Sequence, residues 1–108
     1  MTGPLPYLTD EELATLRAHP IRRTHSWTRY GQRYSVLVVF TMASAAYIDV
    51  AYNGHPIDCI NVWDDERNTP IVRTPVQFRA AVDAYWADTD TIRDMIRGGL
   101  GLPIGGQA

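Results

Sequence analysis

Apolar and polar positions change their period several times along the 108-residue chain, and each change predicts an element. Residues 1–8, MTGPLPYL, hold two prolines and a glycine and read as a loose arm. Leu13 and Leu16 then recur at helical spacing behind Thr9 and Glu12. A Thr followed three positions later by Glu is a capping box, and Asp10 and Glu11 suit the positive end of a helix dipole. The pattern predicts a short helix over residues 10–18, ended by Pro20. Residues 21–30 are rich in Thr, Trp and Tyr and read as a strand, followed by a tight turn at Gly31-Gln32. Residues 33–41 predict a second strand, whose unbroken apolar centre VLVVF implies burial on both faces. Residues 43–46 are small and form a connection.

Residues 47–52 alternate cleanly, with Ile48, Val50 and Tyr52 on one face and Tyr47, Asp49 and Ala51 on the other. Asn53-Gly54 follows, and Asn-Gly between apolar runs predicts a hairpin closed by a type I′ turn. Residues 57–63 are the partner strand, DDERNT is a polar turn, and residues 70–73 form a short edge strand. Thr74-Pro75 marks a second helix start, with Thr as the cap and Pro at the first helical position. Phe78, Ala81, Val82 and Tyr85 hold helical spacing to about residue 87, with Trp86 beside them. A further helix is expected over residues 91–97, ended by Gly98-Gly99. The order predicts an α+β fold: an antiparallel sheet of four to five strands, built as a meander of hairpins. A short N-terminal helix and one or two C-terminal helices pack on one of its faces. No repeat or second domain is visible, so residues 1–108 read as one domain, with 1–8 and 99–108 as flexible tails.

Composition refines this picture. The single cysteine, Cys59, has no partner for an internal disulfide, which favours a reducing compartment, and its apolar setting PIDCINVW suggests a small buried residue. All ten basic residues are arginine, a bias that points to a GC-rich genome. The net charge is −2, so the chain carries no global nucleic-acid signature. The charge is unevenly spread: residues 17–34 carry five arginines and no acid, whereas residues 41–108 carry five arginines against nine acids. Residues 35–46, SVLVVFTMASAA, mimic a signal-peptide core but lie far from the N-terminus, and they fall short of the ~20 residues of a membrane helix. A cytoplasmic protein without membrane contact is expected.

Catalytic chemistry finds little support. His19, His25 and His55 do not share metal-ligand spacing with one another or with Cys59, and His55 and Cys59 would stand about 13 Å apart on a strand. Asp58, Asp64, Asp65 and Glu66 cluster in the sequence, but DDERNT reads as a solvated turn. No nucleophile elbow, phosphate loop, dinucleotide fingerprint or zinc-protease motif occurs. Neither an enzymatic activity nor a cofactor or metal is expected.

The stretch HPIRRTHSWTRYGQRY, residues 19–34, is the candidate binding segment. Its candidate residues are Arg22, Arg23, Trp27, Arg29, Tyr30 and Arg33. Arginine interleaved with aromatics can contact phosphates while rings stack on bases. Five phosphate-bound arginines would give a salt slope of about −4.5 on duplex DNA. Arg, Trp and Tyr are also the residue types enriched at protein-binding hot spots. On a strand, Arg23, His25, Trp27 and Arg29 share one face, and Arg22, Thr24, Ser26, Thr28 and Tyr30 the other, so neither face is a clean basic stripe. The same residues would also suit an outer strand pairing with acids of its own chain.

INVWDDERNTPIVRTPVQF carries a strand ending Val62-Trp63-Asp64, a polar turn, Pro70-Ile71-Val72, and a capped helix with Thr74-Pro75 and Phe78. Over residues 60–86 this resembles small actinobacterial and actinobacteriophage proteins of unknown function, some of whose domains sit beside helix-turn-helix regulators. The resemblance implies a source and carries over no functional residue. The expectation is a small non-enzymatic protein-interaction module, a phage or mobile-element protein that binds and modulates a host protein. A nucleic-acid-binding regulator using residues 19–34 is the alternative, and a homodimer would use the same features.

Overall fold

A computed structural model describes residues 8–88 and 90, apart from the side chains of Arg29 and Ile57. The helix expected at 91–97 and the tail at 99–108 lie outside the described residues, as do residues 1–7. Helix α1 (Asp10–Arg17) is followed by strands β1 (Ile21–Arg29), β2 (Gln32–Met42), β3 (Tyr47–Tyr52) and β4 (His55–Asn61). Two short strands, β5 (Trp63–Asp64) and β6 (Thr69–Pro70), precede helix α2 (Pro75–Ala87). The fold is α+β, with β1 to β4 forming an antiparallel meander in chain order and β5 pairing with β6 as a separate two-stranded ladder.

Both helices begin with reciprocal caps. Thr9 N–H donates to Glu12 Oε1 at 2.9 Å, and Glu12 N–H returns a bond to Thr9 Oγ1 at 3.1 Å. Thr74 and Gln77 repeat the exchange at 3.1 and 3.2 Å, with Pro75 at the start of the helix. Arg73 beside the second cap reaches Glu12 beside the first at 3.2 Å, so one ion pair joins the two helix starts. Backbone and side-chain hydrogen bonds from Thr9, with Arg73 nearby, hold the Glu12 carboxyl below its ordinary range against a smaller opposing effect of burial.

The core lies between the helices and one face of the sheet. Val36, Val38, Phe40 and Met42 of β2 and Ile48, Val50 and Tyr52 of β3 are buried against Leu16 of α1 and Phe78 and Val82 of α2. Leu13, Ala81, Tyr85 and Trp86 pack at its margin. Arg17, at the end of α1, donates from Nε to the Met42 carbonyl at 3.1 Å and from its guanidinium to the Ala43 carbonyl, pinning α1 to the β2–β3 connection.

Several local expectations shift. VLVVF is buried on one face only: Leu37 is 41% exposed and Val39 half-buried, because both helices pack against the even-numbered side of β2. The β1–β2 turn is Tyr30-Gly31, one residue earlier than expected, with φ of 52° and 75°. Leu8 is buried in the core and does not belong to a loose arm. Cys59 is exposed, since it pairs with Asp49 on the uncovered side of the sheet. The short strand expected at 70–73 is β6, paired with β5 and not with the main sheet. Asn53-Gly54 forms the expected left-handed pair, at 50° and 85°.

Candidate interaction surface

Strand β1 is the first strand of the meander and pairs only with β2 among the described residues. The hairpin is longer than the rest of the sheet: β3 pairs with β2 only from Val38 to Met42, so residues 24–37 extend as a two-stranded arm. Register follows from the two-residue turn. In a two-residue hairpin the flanking residues, here Arg29 and Gln32, exchange both backbone hydrogen bonds, and the exchange recurs at every second pair. Trp27↔Tyr34, His25↔Val36, Arg23↔Val38 and Ile21↔Phe40 are therefore the hydrogen-bonded pairs. The backbone groups of Thr28, Ser26, Thr24 and Arg22 point outward. An independent observation agrees. Leu37, opposite Thr24, gives its N–H to Asn53 Oδ1 at 2.9 Å, and its carbonyl accepts from Asn53 N–H at 2.8 Å. Leu37 has thus turned its backbone away from β1.

The candidate residues separate by strand alternation. Arg23, His25 and Trp27 face the helices. Arg23 is bound to Asp83 of α2 at 2.7 Å, which occupies its guanidinium within the chain. Trp27 stacks on Tyr34 at 5.6 Å with an interplanar angle of 15°, and His25 lies 5.6 Å from Trp27 and edge-on to Trp86 at 6.2 Å. Phe40 continues the ladder to Trp86 and Tyr85. Such contacts favour ordered aromatic packing beyond the area they bury. Among the described residues, Trp27 Nε1 is buried without a hydrogen-bond partner. Burial pushes the His25 imidazole below its ordinary range.

Arg22 and Arg33 lie on the opposite, uncovered face, both exposed. Among the described residues no ion pair engages either. Arg33 sits beside Thr28, at the far end of the strand from Arg22. Tyr30, 86% exposed, forms the tip of the arm. The side chain of Arg29 lies outside the description. The basic segment is thus one helix tie, two separated surface arginines and an aromatic ladder. Asp83 and Trp86 were missed in the sequence because they lie some 60 residues away and carry no local mark.

The other edge differs. β4 contains Pro56, which has no N–H, and its pairing with β3 shifts at a bulge between Val50 and Ala51. The Cys59 N–H is taken by Asp58 Oδ1 at 2.8 Å. These are devices that blunt sheet edges; β1 has neither proline nor bulge, and its own devices are charges, the inward-pointing Arg23 and the exposed Arg22.

Two of the clustered carboxylates, Asp58 and Asp64, are engaged within the fold. Asp64 Oδ1 accepts from the N–H of Glu66 and Arg67 at 3.1 and 3.2 Å and shapes its own turn. Asp58 Oδ2 accepts from the Tyr85 hydroxyl at 3.1 Å, which lies 3.3 Å from the Tyr52 hydroxyl. Burial first, then the neighbouring Tyr52 and Asp58, raises the Tyr85 phenol far above its ordinary range, and burial raises Tyr52 too. The two hydroxyls and the Asp58 carboxylate join β3, β4 and α2. Among the described residues no group of His, Cys, Asp and Glu could hold a metal ion, and no helix is long and apolar enough to cross a membrane. No protein-family model, curated protein or solved structure matches the chain.

Proposed function

We propose that the protein is a non-enzymatic interaction module that receives an extended segment of a partner protein along the outer edge of β1. The observation that carries this is the outward-facing backbone of Arg22, Thr24, Ser26 and Thr28, on four residues that are all exposed. Main-chain groups of this kind supply affinity in strand addition, and side-chain pockets at alternate positions supply specificity. The arginine-only basicity and single cysteine support a cytoplasmic protein of a GC-rich actinobacterium or its phage, whose partner is a host protein it modulates.

Ser26→Pro tests the reading. It removes an outward N–H and leaves the ladder to β2 intact, because edge strands tolerate proline on their solvent side. A partner retained from host lysate by the wild type should be lost by this variant at unchanged far-UV circular dichroism. Retention by both would sink the reading. Nucleic-acid binding is the competing outcome. Phosphate contacts from Arg22 and Arg33 alone would give a salt slope of about −1.8 on duplex DNA. Oligonucleotide binding with a slope of about −1.8 or steeper, weakened in an R22A/R33A variant, would put a regulator in place of the interaction module.

A further inference from the structure

The outer edge of β1 has a charge pattern that selects its occupant, an argument that rests on the strand-addition reading above. Arg22 stands at one end of the outward-facing set, and Arg33 lies beside Thr28 at the other. Between them Thr24 and Ser26 offer only small hydroxyl side chains. On the helix-facing side Arg23 is already neutralised by Asp83, and His25 and Trp27 present an aromatic flank. A strand laid against β1 alternates its side chains between these two faces.

We infer that β1 takes an extended acidic segment of a partner protein. Two carboxylate side chains six positions apart flank small or β-branched residues, with apolar residues at the alternate positions. One carboxylate meets Arg22, and the other reaches across Thr28 to Arg33. Arg22 and Thr28 are six positions apart on the strand, or about 20 Å. A guest residue beside Thr28 lies two strand spacings, about 9.6 Å, from the Arg33 backbone. Extended Glu and Arg side chains close that gap from both sides. The apolar positions of the guest run along His25 and Trp27. A second copy of β1 is the poorer occupant, because its three arginines come without an acid and like charges across a strand pair repel. A nucleic acid has no N–H and C=O ladder to satisfy the outward backbone groups.

The test uses the full chain labelled with 15N and three acetylated, amidated heptapeptides. The first, Glu-Val-Thr-Val-Thr-Val-Glu, carries both carboxylates on one face. The second has Lys in both Glu positions and the third has Gln. The first should protect the amides of Arg22, Thr24, Ser26 and Thr28 from hydrogen exchange. Those of Arg23, His25 and Trp27, already bonded to β2, should not change. Affinity should fall about tenfold in Arg22→Glu and weaken as salt rises, and Ser26→Pro should abolish the protection. Equal or stronger protection by the Lys or Gln peptide would overturn the acidic partner and leave strand addition standing. No protection by any of the three, in a chain that sediments as a monomer, would overturn both. A wild-type dimer with these four amides already protected, made monomeric by Ser26→Pro, would make the second copy the occupant and overturn the inference.

Discussion

Tyr85 and Tyr52 share one polar contact inside an otherwise apolar core, but they are not equivalent. Tyr85 bonds to the Asp58 carboxylate and also meets the Tyr52 hydroxyl, whereas Tyr52, fully buried, has Tyr85 as its neighbour. Tyr85→Phe leaves both Asp58 and Tyr52 short of a partner and should cost about 1–3 kcal/mol in urea denaturation. Tyr52→Phe removes a buried hydroxyl and keeps the Tyr85–Asp58 bond, so it should cost less. Reversal of that order would show that the Tyr85–Asp58 bond contributes nothing. His25 gives a second expectation. Burial depresses its pKa in the folded chain below the ordinary 6.5, so the unfolded chain takes up the proton first. This contribution to stability is complete above pH 6.5, is lost as pH falls through the folded pKa, and levels off below it. Urea midpoints measured from pH 7.5 downward should show this decline in the wild type and a flatter profile in His25→Gln. The separation of Arg22 from Arg23 onto opposite faces, in contrast, could be read from alternation alone, because a strand side chain has only two directions to choose from.

At the scale of the element, the β1–β2 hairpin turns on Tyr30 at φ 52°, a left-handed conformation that disfavours a bulky side chain. Tyr30→Asn would create the Asn-Gly pair that Asn53-Gly54 already uses, and it should stabilise the protein by about 1 kcal/mol in thermal or chemical denaturation. No gain would mean that the tyrosine ring contributes as much at the tip as its backbone costs. The two capped helices and the Asn53-Gly54 hairpin were legible in the sequence because their determinants lie within four residues of one another. The Tyr30-Gly31 turn was not, since a tyrosine gives no sign of a left-handed backbone and Gly31 could serve either register.

For the molecule as a whole, the element order already implied one-sided cover of the sheet, but it did not say which side of β2 the helices would take. Val36 to Phe40 are all apolar, and nothing within the strand says that Val38 meets the helices while Leu37 meets solvent. The placement of α1 and α2 decides that. The same distance hid Asp83 as the partner of Arg23. Threonine tests the asymmetry. Val38→Thr buries a hydroxyl where the side chain is fully enclosed and should cost about 1–3 kcal/mol, whereas Leu37→Thr should stay within about 0.5 kcal/mol. Equal costs in urea denaturation would mean that the outer face is covered in solution. The two edges of the sheet are as unequal as its faces, and this governs how large an assembly the chain can build. Two copies meeting edge to edge at β1 would consume both open edges in a single step. Pro56, the bulge and the engaged Cys59 N–H leave β4 poorly suited to admit a third. Growth by extension of the main sheet would then terminate at two, so the arrangement that exposes β1 would also keep it from seeding a fibre.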